Sequence, residues 1–394
     1  MEKKITILAI ILLIAAGFGG CKQSFSNQSE SIITVDVTKT SYPKKELILQ
    51  DYMDVEYIAL ETNNDFLNQG FVQDIGNKFI IVRNRTNDGN IFIYDRNGKA
   101  LRMINRKGGG GEEYTNLYKI TLDEDNEEMF VNDISLKKII VYDLFGKFKR
   151  SFKHKEDTEA KSMFYTEIFN YDKNNLICYD SYNEKIAFLL ISKLDGSVTR
   201  EIAIPFKEKK VARASRRDEA SGMTYSVSPG PYRTIIPYND NWLLAELSSD
   251  TIFKLLPDYS LQPFMVRTPS VQSMSPEVFL LLRVFSERYY FMETIKNEFS
   301  FETNDGFPRT FMVYDRQEKD IFNYTVYNGD YTIKKEEYMN ARPISHDIES
   351  WQPIEPFRLV EANKKGELKG KLKEIAEKLA EDDNPVIMLL KHKK

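Results

Sequence analysis

Few residues in this chain have the type and spacing that chemistry demands. Histidine occurs only as His154, His346 and His392, widely separated and without the spacing of metal ligands. Asp123, Asp125 and Glu127 alternate as calcium ligands do. No glycine follows at the required place and no bidentate glutamate closes the loop, so a hairpin turn accounts for them better. Gly108, Gly109, Gly110 and Gly111 lack the G-K-S/T close of a phosphate loop and open no helix, which leaves their amides without a helix dipole behind them. No G-x-S-x-G elbow is present. One local cluster has the makings of an active site, His346-Asp347 with Trp351. A carboxylate pair in the channel would suffice for a glycosidase, and a linear sequence cannot place one. No metal and no cofactor are expected.

The cysteines speak of compartment. Lys3 and Lys4 precede an apolar run at 5–16, and small residues at 17–20 lead to Cys21. This is the form of a bacterial lipoprotein signal over 1–20, too short to span a membrane comfortably. Cleavage would leave Cys21 as a lipid-bearing first residue, and two or three acyl chains hold a protein firmly where one is marginal. Residues 21–31, rich in Ser, Gln and Asn, read as a flexible tether. Lys22-Gln23-Ser24 lacks an acidic run of the kind that resembles surface-export signals, so the periplasmic or surface face stays open. Cys178, inside the apolar run 176–179, reads as a small core residue. The fold therefore rests on no internal disulfide. A formal charge of -4 over 394 residues suggests neither a nucleic-acid binder nor a polyanion.

The elements that would position these residues are strands. Residues 107–152 parse as four, at 117–122, 128–132, 138–143 and 147–152, each apolar and β-branched or aromatic, with Asp, Asn, Ser or Gly in the gaps. A meander this short cannot bury both faces alone. It needs copies of itself on either side, as a propeller blade does.

The unit resembles an NHL-type repeat: a glycine-rich entry with Glu112 and Tyr114, an inner strand closing on Asp123, a second closing on Asp133, a third ending Val141-Tyr142-Asp143, and a tail at 146–152. The whole chain is similar to the six-bladed β-propeller lipoproteins of the Bacteroides group, through D-V-E-Y-I-A-L-E-T at 54–62 and D-D-N-P-V-I-M-L-L-K at 382–391. The resemblance implies an all-β fold over 32–394, a six-bladed β-propeller of four-stranded antiparallel blades. It says little about activity.

The remaining blades follow the same scheme. Blade one takes 71–104 with the hairpin signal Asn97-Gly98; blades three, four and five take 166–204, 234–266 and 284–327. Their third strands close near Asp95, Asp143, Asp195, Asp258 and Asp315. Strands are expected at 32–37 and 54–61 with a polar link between, and two more within 345–362. A short C-terminal helix at 366–381, apolar on one face, precedes a last strand at 386–391. The N-terminal strands should complete the sixth blade and remove free edges.

Antiparallel connectivity sorts the loops. Links between blades and between second and third strands emerge on one face, and all the long excursions belong to it: 83–90, 106–116, 205–233, 268–285 and 293–308. Function sits on loops held by a rigid scaffold. The candidate ligand contacts there are Arg83, Arg85, Arg106, Lys107, Glu112, Tyr114, Arg216, Arg217, Tyr225 and Tyr232, since Arg and Tyr stack on and hydrogen-bond polar polymers. The expectation is an exported, lipid-anchored module of the cell envelope, held at the outer membrane by lipid alone. It would bind a glycan, a peptide or an envelope protein partner and no nucleic acid. The alternative is a hydrolase or lyase using channel carboxylates.

Overall fold

Ile-Phe-Ile-Tyr at 91–94 and Ile-Ile-Val-Tyr at 139–142 are apolar at every position, a pattern suited to strands covered on both faces. In the computed structural model, which describes residues 32–155, 164–230 and 232–393, these are the third strands of the first two blades of a six-bladed propeller. The signal and tether at 1–31 lie outside the described residues. Blade one is Phe71–Ile75, Phe79–Arg83, Asn90–Asp95 and Ala100–Asn105. Blade two is Lys119–Asp123, Glu128–Asp133, Lys138–Asp143 and Phe148–Lys153. Blade three is Tyr165–Asn170, Asn175–Asp180, Phe188–Ser192 and Val198–Ile202. In each, consecutive strands pair antiparallel in sequence order.

The recurring aspartates have a mechanical reason. Asp95 accepts from the Asn97 and Lys99 amides, and Asp143 from the Phe145 and Lys147 amides. Each ties the turn between third and fourth strands into an Asx turn. Gly98, Gly146 and Gly196 take positive φ in these turns, +83°, +81° and +74°. A side chain on them would strike Ala59, Ile104 and Phe152 respectively. Each turn thus abuts the outer strand of the preceding blade, and the ring is stitched together turn by turn.

Blade four is Ile235–Tyr238, Asn241–Leu244, Thr251–Leu255 and Leu261–Thr268. Blade five is Val278–Phe285, Tyr289–Lys296, Arg309–Asp315 and Asp320–Tyr327. Both gain a fifth strand from the N-terminus. Ile33–Asp36 runs parallel to Leu261–Thr268, and Lys44–Ile48 parallel to Asp320–Tyr327. The second of these lies in the link expected to be merely polar. Its Lys-Lys-Glu-Leu-Ile sequence buries only Leu47, so no apolar run announces it. The excursion at 268–285 is likewise half strand. Val278–Phe285 is buried almost throughout, and Arg283 and the flanking Pro276 mask its apolar character in the sequence.

Blade six closes the ring. Ile348–Ile354 pairs with Val386–His392, which pairs with Met53–Ala59 near the N-terminus. Ala59 therefore meets Gly98 where an outer strand belongs, which makes Met53–Ala59 the fourth strand of this blade. The first position is taken by 340–344, which forms no ladder. Its end turns back through Ile344 N donating to Ile348 O at 3.1 Å, while Ser350 Oγ donates to Asn340 O at 2.7 Å. Only one strand arises within 345–362. Pro356 starts a helix, Pro356–Lys364, as proline at a first helical position does. A second helix, Gly370–Ala376, is shorter than the expected 366–381. Leu359, Leu368 and Leu372 pack with Val284, Phe291 and Val313 of blade five and Met388 of blade six. Burial of each such side chain is worth about 1.5–3 kcal/mol, enough to seat the helices between the two blades.

Candidate functional site

Acids on the inner strands of blades one and three, and on Ile348–Ile354 of blade six, do structural work. Asp74 of blade one accepts from the Leu122 amide at 2.7 Å. Glu167 of blade three takes the Thr234 amide and hydroxyl, both at 2.9 Å. Glu349 of blade six accepts from the Phe285 amide at 3.0 Å. Each carboxylate binds a neighbouring blade's backbone, and burial pushes all three above the usual carboxylate range.

Between these staples the channel widens into two cavities that share Ile344. One, of about 290 Å³, opens among the starts of the inner strands, on the side of the long loops. Five cations line it: Arg83, Lys119, Arg233, Arg283 and Arg342. Arg83 donates to its neighbour Asn84 O at 2.6 Å and lies 4.7 Å over the Phe71 ring, and its Nε is buried without a partner. Arg342, on the irregular inner segment of blade six, lies 4.7 Å over Trp351. Burial lowers its basicity, and Arg85 and Arg233 lower it further. Lys119 donates to Gln73 O. Burial brings its ammonium down to about 8 against the pull of Asp74. Arg283 is held by Glu293 and by Tyr338 OH at 3.0 Å, its Nε buried without a partner.

Among the described residues Glu167 is the one carboxylate lining this cavity. Adding Asp74 beside Lys119, and Glu293 with both of its partners, Arg283 and Arg309, sets three acids against six cations, an excess of three positive charges. Low-dielectric walls make such an excess effective toward a ligand.

The second cavity, of about 750 Å³, lies at the other end among the turns after the inner strands, where Asp74, Asp125, Trp242, His346, Asp347 and His392 line it. His346 stands edge-on to Trp242 at 4.9 Å, and burial lowers its pKa. His392 Nε2 lies 2.6 Å from the buried Glu349 Oε1. His346-Asp347 and Trp351 thus separate: the first two face this cavity, whereas Trp351 faces the cationic one.

The other sequence candidates scatter. Arg83 lines the cationic cavity, and Arg85 lies 5.9 Å over Phe71 beside it. Arg106 donates through Nε to Gly146 O at 2.9 Å, between blades one and two, and Lys107 reaches Asn87 O. Tyr114 is fully buried, and the Glu112 carbonyl accepts from Tyr142 OH at 2.5 Å. Arg216 and Tyr225 face one another across an exposed hairpin that pairs Arg217 with Thr224. Tyr232 packs on the cluster around Leu247 and Phe279. Gly110 N donates to Glu113 at 2.7 Å, tying the glycine run into its own turn. Asp123 is buried and paired with Lys193 at 2.7 Å, within the expected hairpin turn. Lys119, Arg233, Arg283 and Arg342 are absent from the sequence candidates. A lone cation in a buried strand, as in Val278–Phe285, was the available signal.

Residues 32–391 match the Domain of unknown function (DUF4934). The chain belongs to this family. No curated protein matches it. Among solved structures it is similar to a Bacteroides fragilis NCTC 9343 protein named as exported, at 16% identity and a TM-score of 0.58, over 92% of this chain and 100% of that one. It also matches a member of the DUF4221 family from Bacteroides vulgatus ATCC 8482 at 11% identity and a TM-score of 0.45, over 72% of this chain and 92% of the other. At such identities the likeness bears on fold alone.

Proposed function

We propose that this DUF4934 protein is an exported, lipid-anchored propeller that recognises a ligand at the loop-bearing end of its channel and performs no chemistry on it. One observation carries the reading: five cations converge on a cavity whose only lining carboxylate among the described residues is already tied to the Thr234 amide and hydroxyl. The basic-then-apolar leader ending at Cys21 and the likeness to a Bacteroides protein named as exported support an envelope location, at the outer membrane. The ligand is a glycan, a peptide or an envelope protein partner, and the membrane is met through lipid alone. A glycan and peptide screen against the full chain tests recognition, and a Phe71→Ala, Trp351→Ala double variant that binds every hit like the parent would refute it. Alkyne fatty-acid labelling tests the anchor; label that survives Cys21→Ala removes it.

The enzyme alternative, a hydrolase or lyase, has one observation in its favour. Asp74 and Glu167 line the two channel cavities, and burial raises both carboxyls above the usual range, as a general acid requires. Turnover of a polysaccharide by the parent, lost in Glu167→Gln, would establish it.

A further inference from the structure

We propose that the loop-side cavity takes a small oxyanion, a carboxylate or a sulfate or phosphate ester, carried on a body about the size of one sugar ring. The inference rests on the recognition reading above and deepens it. Size comes first: about 290 Å³ stands at the low end of the roughly 300–1,000 Å³ of small-molecule sites, so the cavity admits one residue-sized group and no more.

Charge comes second. Arg342 has no carboxylate partner among the described residues and rests on the Trp351 face, while Arg233 feels the Glu167 charge but makes no ion pair with it among the described residues. Arg83 keeps one N–H for its neighbour's carbonyl and a buried Nε with none. A half-buried guanidinium without an anion is costly, and two oxygens of a carboxylate, sulfate or phosphate meet its fork through two parallel hydrogen bonds. The cations also repel: Arg83 and Arg233 both oppose the charged form of Lys119, and Arg85 and Arg233 oppose that of Arg342. A bound anion relieves this repulsion. The walls give the body its seat, since Phe71, Phe169 and Trp351 supply apolar surface beside the charges.

The test is calorimetric titration of the full chain with glucuronate, glucose 6-phosphate and glucose, in low and high salt. Binding of either acid, weakened by salt, with glucose silent, is expected; which acid binds identifies the oxyanion. Arg342→Gln and Arg233→Gln should each weaken it by about tenfold or more, and Arg342→Lys should keep part of the affinity. Silence from both acids, glucose binding as tightly as glucuronate, or parental affinity in both glutamine variants would overturn the proposal. A neutral hit from the screen whose binding fails in Phe71→Ala, Trp351→Ala would overturn the anion while leaving recognition standing. An empty screen together with silent acids would end both.

Discussion

Gly98 and Ala59 come closer than any side chain would allow. A Cβ on Gly98 would fall 2.1 Å from the Ala59 carbonyl oxygen, and the Glu61 amide donates to Gly98 O at 2.8 Å. The contact joins the first complete blade to the N-terminal strand that finishes the last one, so it latches the ring. Gly98→Ala must resolve a backbone clash and take a left-handed φ, which alone costs about 1–2 kcal/mol. The variant should show a clearly lowered unfolding midpoint. Gly109→Ala, where nothing lies within 4 Å and φ is not positive, should leave the midpoint unchanged. Equal midpoints for both variants would show that the latch carries no stability.

The N-terminal strand on blade five is pinned by charge. Lys45 Nζ lies 2.6 Å from Asp315, and Arg288 Nη2 2.8 Å. Burial pushes the Asp315 carboxyl up, but hydrogen bonds from Arg288 and Lys45 outweigh it and hold it below the usual carboxylate range. With a depressed folded pKa, the stabilisation is present above the unfolded value of 3.8. It is lost as pH falls through the folded one. Asp315→Asn should therefore cost about 1–3 kcal/mol at neutral pH. The gap to the parent should narrow on acidification below about pH 4. A gap that stays constant into acid would contradict the pairing.

The propeller was legible because its signals are local. The Asp that ends a third strand and the Gly that follows both act within one turn, so Asp95 with Gly98 and Asp143 with Gly146 repeat visibly. The site was not legible because it is assembled across blades. Arg83, Lys119, Arg233 and Arg342 are separated by tens of residues in sequence and meet only when the ring closes. Their individual contexts differ, with Lys119 opening a strand and Arg342 preceding Pro343 in a segment without strand pairing. Tyr114 shows the reverse error. An aromatic in a long loop suggests a ligand contact, yet this one faces inward.

Tyr114 OH accepts from the Arg106 amide at 2.8 Å and donates to Gly89 O at 2.7 Å, fastening one long loop to another. Tyr114→Phe leaves both backbone groups without their partner, at a cost of roughly 1–3 kcal/mol. Lower thermal stability with unchanged ligand affinity is the expected result. Loss of affinity at full stability would return Tyr114 to the binding surface.

Lys119 makes anion binding depend on pH in a set direction. Asp74 and Glu167 face it as acids, Arg83 and Arg233 as cations, and burial sets its pKa at about 8. Its ammonium is charged at neutral pH and neutral well above 8. An anion in the cavity favours the charged form, so affinity should be highest below pH 8. It should then decline by at most about tenfold per pH unit above. Lys119→Arg keeps its charge across this range and should flatten the decline. Lys119→Met should bind more weakly at neutral pH and lose the dependence as well. Titrating glucuronate or glucose 6-phosphate from neutral pH to about pH 9.5 tests the direction, and affinity that rises toward alkaline pH in the parent would exclude Lys119 from the site.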